Sequence, residues 1–131
     1  MSYLLDTNAV IALLKGHPKL LERMRSEQPA DVLLSSVVAH ELYFGAFKSG
    51  RPGRNVEVVD ALRFDIVDFD RRDARIAGHV RAVLQAAGTP VGPYDVLIAG
   101  QALARGLTLV TRNLREFRRV EGLRVEDWQG S

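Results

Sequence analysis

Three short apolar runs, each closed by a polar residue, constrain this chain more than anything else in it. Tyr3-Leu4-Leu5 ends at Asp6, Val32-Leu33-Leu34 at Ser35, and Leu107-Thr108-Leu109-Val110 at Thr111. Runs of this length, bounded by turn-forming residues, read as buried strands rather than helices. Long amphipathic stretches separate them. Side-by-side parallel strands need crossovers of a dozen or more residues, so the alternation predicts an α/β domain with a mostly parallel sheet. At 131 residues, 1–131 is expected to form one domain.

The crossovers can be read locally. Asp6-Thr7-Asn8 opens a helix with Val10, Ile11 and Leu14 on one face, closed by Gly16-His17-Pro18. Lys19 to Gln28 reads as a second helix with Leu20, Leu21 and Met24 inward. Ser36 is placed to cap a helix from about Val37 to Lys48. Ser49-Gly50-Arg51-Pro52-Gly53-Arg54 is the strongest loop signal and is expected to be mobile. A helix from about Asn55 to Arg63 follows, then a third strand within Phe64–Phe69. Asp70 can cap a long helix, about Arg71 to Ala87, with Ala74, Ala77, Val80 and Leu84 inward. Gly92 and Pro93 then introduce a helix that carries Asp95, Ile98, Ala99 and Ala102 on one face and stops at Gly106. Arg112 to Phe117 reads as a turn and short helix, and Leu123–Glu126 as an edge strand.

Sites in such sheets lie outside the carboxyl ends of the strands. Asp6 follows the first strand, and Asn113 and Glu116 follow the fourth. Glu41 lies inside the helix after the second strand, on an otherwise apolar face, and Asp95 leads another apolar face. Each has a bland account taken alone: Asp6 and Asp95 as helix-start residues, and Asn113-Leu-Arg-Glu116 as a capping box. Glu41 has none. Carboxylates brought to one point repel, and a divalent cation removes that cost. Oxygen ligands select Mg²⁺ or Mn²⁺ over zinc, and the matching chemistry is metal-assisted phosphodiester hydrolysis. Asp6 and Asp95 are the candidates to hold the metal. Glu41 and Glu116 complete its surroundings, Asn113 fixes geometry, and Thr7 bonds a ligand oxygen or a substrate phosphate.

Other classes are set aside by what the chain lacks. It has no cysteine, which excludes thiolate chemistry and fits a cytoplasmic setting. No apolar run approaches the ~20 residues of a membrane helix, and the opening residues do not read as a signal peptide. No Gly-Lys-Ser/Thr phosphate loop is present. His17, His40 and His79 lack metal-ligand spacing. Phosphotransfer through an aspartyl phosphate at Asp6 would want a lysine from the later half of the chain, and none follows Lys48. A module that only binds a partner, with its acids as caps, leaves Glu41 unexplained. The net charge of +2 names no partner, but arginines, whose flat fork matches phosphate and carboxylate, crowd the last quarter, with Arg112 and Arg115 as candidate phosphate contacts.

Leu4-Leu-Asp6-Thr-Asn8, Ser36-x4-Glu41-Leu, Gly92-x2-Asp95-x2-Ile-Ala and Thr111-Arg-Asn113-x2-Glu116-Phe together resemble a PIN domain, and more narrowly the VapC-type toxins of bacterial toxin–antitoxin pairs. The resemblance runs from about Tyr3 to Trp128. It implies a three-layer α/β/α sandwich and a Mg²⁺- or Mn²⁺-dependent endoribonuclease whose metal site is lined by Asp6, Glu41, Asp95 and the Asn113/Glu116 region. It also implies a homodimer and a small antitoxin partner whose tail blocks the site, with operator DNA reached only through that antitoxin. The helices around Leu20–Met24 and Val37–Phe47 are the candidate antitoxin surface. Many PIN domains place an aspartate where Asn113 stands; Glu116 is the candidate for the missing charge.

Overall fold

The structure is a computed structural model that describes residues 1–130. Five parallel strands, β1 (Tyr3–Leu5), β2 (Val32–Ser35), β3 (Asp65–Val67), β4 (Thr108–Val110) and β5 (Val125–Glu126), form one sheet in the order β3-β2-β1-β4-β5. Each predicted strand is present. The helices are α1 (Thr7–Leu14), α2 (Pro18–Ser26), α3 (Ser36–Lys48), α4 (Pro52–Asp60), α5 (Arg71–Ala86), α6 (Pro93–Arg105) and α7 (Leu114–Phe117).

The chain builds β1, β2 and β3 in one direction and then crosses back to add β4 and β5 on the far side of β1. Crossovers between parallel strands are right-handed, so this reversal sends α1–α4 to one face and α5–α7 to the other. The packing agrees: α1 lies on α2 and α3, α3 on α4, and α5 on α6. The result is a sheet covered on both faces, which is why its strands are near-continuous apolar runs. Leu4, Leu5, Leu34, Ile98, Leu109 and Phe117 are all essentially inaccessible to solvent. Truncating one of these to alanine costs ~2–5 kcal/mol.

Local chemistry moved several boundaries. Pro18 does not close the first helix; it is the first residue of α2, capped by His17, whose Nδ1 accepts the Leu20 N–H at 3.4 Å. A proline ring needs no N–H there and has the right φ. The same preference starts α4 at Pro52 rather than Asn55, which shortens the predicted mobile loop. Asn55 then donates to the Ser49 hydroxyl at 2.8 Å, tying the two ends of that turn together. Ser35, not Ser36, caps α3, accepting the Val37 N–H at 3.0 Å; the Ser36 hydroxyl instead accepts from the Phe69 N–H. In α5 the inward row is Asp73, Ala77, Val80 and Leu84, while Ala74 is exposed. A buried aspartate in that row is not what an apolar periodicity suggests. Leu20 is buried, and Leu21 and Met24 are partly buried, so the Leu20–Met24 face exposes less apolar surface than Phe44 and Phe47 of α3 do. Among the described residues no helix is long and apolar enough to cross a membrane.

The two helices of the second layer meet closely at one point. A Cβ on Gly100 would lie 2.5 Å from both Cα and Cβ of Ala77. Only glycine lets α6 lie this near α5. Gly106, at φ +65, closes α6 in the left-handed conformation that glycine adopts without strain.

Candidate active site

The strand order reverses between β1 and β4, and at such a switch point the loops leave in opposite directions and open a crevice. Asp6 and Thr111, the residues that follow these two strands, lie side by side there, with the Asp6 N–H donating to Val110 O at 3.0 Å. Asp6 is 4% exposed. One of its oxygens accepts the Ala9 N–H at 2.8 Å, so it does cap α1. Burial pushes its carboxyl above the usual range. The Thr111 hydroxyl and the Ala9 N–H oppose that, and the charges of Glu41 and Asp127 add to it.

Asp95 sits at the third position of α6 and does not cap it; Gly92 precedes the helix with no side chain to offer. Its carboxyl is pushed up to about 6, first by burial and then by Glu116, Asp6 and Glu41. No arginine or lysine is among the groups that act on it. Space beside Gly92 is tight, since a Cβ there would stand 3.2 Å from Asp95 Oδ2 and the carboxylate would have to shift by a few tenths of an ångström.

Glu41 and Glu116 are each held from a different element. The Thr7 hydroxyl donates to Glu41 Oε1 at 3.0 Å, bridging α1 to α3. The Gly92 N–H donates to Glu116 Oε1 at 3.1 Å, and the Asn113 amide donates to Glu116 Oε2. The capping box predicted for Asn113 and Glu116 is therefore absent. Asn113 makes no side-chain bond to the helix start, and Glu116 reaches across to the loop before α6. The Asn113 N–H is instead taken up by the Thr111 hydroxyl at 3.0 Å. Arg112 and Arg115 are exposed, and neither joins an ion pair among the described residues. His40 and Tyr94, the neighbours of Glu41 and Asp95 in the chain, lie with ring centroids 5.6 Å apart where α3 meets α6.

The four carboxylates thus come from the end of β1 and from α3, α6 and α7 to one edge of the sheet. They are near enough to perturb one another but do not already form a cage: among the described residues no three acidic or histidine side chains converge in ligating geometry. Like charges without a counter-ion hold apart. The donor set is entirely oxygen, it is partly desolvated, and no cation of the protein offsets Asp95. Those properties fit a hard divalent cation. A fifth acid escaped the sequence reading. Asp127 follows β5 and raises the Asp6 pKa, while its Oδ1 accepts the Gln129 N–H at 2.8 Å. Its signal was available: it stands just past the strand beside β4, as Thr111 stands past β4.

Residues 3–123 match the family model for the PIN domain. The chain is 43% identical over 130 residues to the tRNA(fMet)-specific endonuclease VapC of Salmonella typhimurium, covering 98% of each. It is 38% identical to the Haemophilus influenzae ribonuclease VapC2 at the same coverage. Among solved structures it resembles the DNA-bound VapBC of Salmonella typhimurium, with TM-score 0.92, 44% identity and 98% of each chain covered. The VapBC-1 of nontypeable Haemophilus influenzae is also close, with TM-score 0.89, 30% identity and coverage of 99% of this chain and 100% of that one.

Proposed function

The chain belongs to the PIN-domain family, as a nuclease of the VapC kind, and on that premise we propose that it is a Mg²⁺- or Mn²⁺-dependent endoribonuclease silenced by a cognate antitoxin protein. Two relatives at 43% identity are named for tRNA(fMet), which makes tRNA the substrate class of this proposal.

The observation that carries it is Asp95. A carboxyl raised to about 6 by burial and by three neighbouring carboxyls, with no cation of the protein among the groups acting on it, is where a divalent cation would relieve the most repulsion. Asp6 and Asp95 would hold the ion. Bound there, it would supply a hydrolytic water of lowered pKa and a counter-charge for the departing oxygen. Glu41, steadied by Thr7, and Glu116, steadied by Gly92 and Asn113, would complete the surroundings directly or through water and accept the proton of the attacking water. Arg112 and Arg115 would hold the RNA backbone, which makes binding salt-sensitive. A module that only binds partners has no use for four mutually repelling, part-buried carboxyls.

The antitoxin has a fitting place. A groove of about 620 Å³ runs between α1, α3 and α4, with Ile11, Leu14, Leu42 and Val58 along it and Glu41 at its edge. Phe44 and Phe47 stand 61% and 67% exposed on the same helix, α3. An apolar tail laid in this groove would end against Glu41 and close the site, and the antitoxin would carry the contact to operator DNA. This is the Val37–Phe47 half of the surface expected from the sequence.

The test is cleavage of tRNA(fMet) and of a mixed tRNA and rRNA pool by protein freed of its partner, with Mg²⁺, with Mn²⁺ and with EDTA. Cleavage should need the metal and vanish in folded Asp6→Asn and Asp95→Asn variants. Cleavage indifferent to both substitutions would refute the assignment.

A further inference from the structure

Beside the carboxylates lies a second cavity, of about 380 Å³, lined by Asn8, Arg112, Asn113 and Gln129. We infer that this cavity receives one nucleobase of the RNA, next to the phosphate cleaved at the acid site, and that Asn8 and Gln129 select it. The inference rests on the nuclease reading above and adds a specificity site to it.

Three strands build the cavity. Asn8 stands two residues past Asp6, Arg112 and Asn113 follow β4, and Gln129 follows β5. Since β1, β4 and β5 are neighbours in the sheet, their ends place these side chains on the edge that carries Asp6. The positions are fixed by other contacts. Asn8 lies in the first turn of α1, behind the Asp6 cap. Asp127 holds the Gln129 backbone N–H at 2.8 Å, and Glu116 takes the Asn113 amide N–H. That last bond leaves the Asn113 carbonyl oxygen as its free polar atom. Among the described residues, the side chains of Asn8, Arg112 and Gln129 make no hydrogen bond within the chain.

The chemistry of the lining argues for a base rather than a second phosphate. A phosphate asks only for donors. Here two carboxamides, each with one donor end and one acceptor end, and the Asn113 carbonyl stand with a single guanidinium. Paired donors and acceptors in one plane are what the edge of a base presents, and Asn, Gln and Arg are the side chains that read such edges bidentately. The volume holds a base and part of its ribose. RNA whose bases are unstacked, as in a loop, can supply one.

The test separates this site from catalysis. Labelled RNA decamers of A, C, G and U are titrated by fluorescence anisotropy in EDTA, where no cleavage occurs. Wild-type protein should prefer one base over the weakest by about tenfold, the range of a good bidentate contact. Asn8→Ala and Gln129→Ala should bring the four affinities to within about twofold while circular dichroism and melting temperature stay as in wild type. In Mg²⁺, an abasic nucleotide at one side of the mapped cleavage position should cut wild-type kcat/KM about tenfold and leave the Asn8→Ala enzyme unaffected. Equal affinities in wild type, or an unchanged preference in both variants, would overturn the proposal. So would a uniform loss across all four decamers, which would mark a backbone contact. A base preference in a protein that cleaves nothing would keep this site and refute the nuclease reading.

Discussion

Two aspartates, Asp73 buried and Asp95 half-buried, sit near opposite ends of the same helix pair and behave in opposite ways. Asp73, 1% exposed on α5, is served from α6. Arg105 Nη2 donates to it at 3.0 Å and Gln101 Nε2 at 3.1 Å, and the Asp70 N–H accompanies them within a capping box. Burial alone would raise its pKa. The hydrogen bond and charge of Arg105, the Asp70 N–H and Gln101 outweigh that and lower it. Asp95, ten residues before Arg105 on α6, is raised to about 6 with carboxylates for company. Desolvation raises both, and Asp73 is the more deeply buried of the two, so burial does not mark a functional acid. The presence of the protein's own cation does. A buried carboxylate with an arginine is part of the frame, and a desolvated one without fits the cation site proposed above.

The contrast is broken most severely at the end where the acids gather. Asp6→Asn or Asp95→Asn should lower metal-dependent RNA cleavage by more than about a hundredfold, because even outer partners of a metal site are worth ~10–100-fold. The metal-free variants should melt no lower than wild type, since each removes a repelling charge. Asp73→Asn should do the reverse, lowering the melting temperature while folded protein cleaves as before. Next in size, Arg105→Ala strands the Asp73 charge. Unpairing a buried ion costs ~3–5 kcal/mol, and the partial exposure of the guanidinium puts this case near the lower end, read by chemical denaturation. Gly100→Ala tests the close approach that lets α6 carry both sites. The added methyl must push α5 away, and overpacking of this kind costs ~1–3 kcal/mol.

The smallest effect is the pH signature. Asp95 has a folded pKa above its unfolded one, so the folded state takes up the proton first as pH falls through about 6. Metal-free protein should therefore gain stability at this site between pH 7 and pH 5. Asp73 is depressed. Its contribution is present above the unfolded value of 3.8 and is lost as pH falls through the lower folded value. Melting temperature followed from pH 7 to pH 3 should show both arms, with Asp95→Asn flattening the first and Asp73→Asn the second.

What the sequence made legible follows from range. Strand runs closed by Asp6, Ser35 and Thr111 are local patterns, and the switch-point rule turned them into a site without any contact being known. Glu41 stood out because a charge inside an apolar helical face contradicts its own surroundings. The Asp73–Arg105 pair stayed hidden because its partners are 32 residues apart and because Ala74 fits the apolar row equally well on paper. The capping box failed for a similar reason. Asn113 and Glu116 have the right spacing, but a backbone N–H 24 residues away competes for the glutamate. Asp127 and Gln129 follow an edge strand that the sequence did signal, but their place in the site depends on β5 pairing with β4, a long-range contact no local pattern shows.

The central claim, that the acids around Asp95 form a cation site, is tested most directly by titrating the Asp95 carboxyl by NMR with and without Mg²⁺. The account predicts an apparent pKa near 6 in EDTA that falls by more than about one unit in saturating Mg²⁺, since a bound cation favours the charged form. An ordinary carboxylate value in EDTA, or one that Mg²⁺ leaves unmoved, would contradict it.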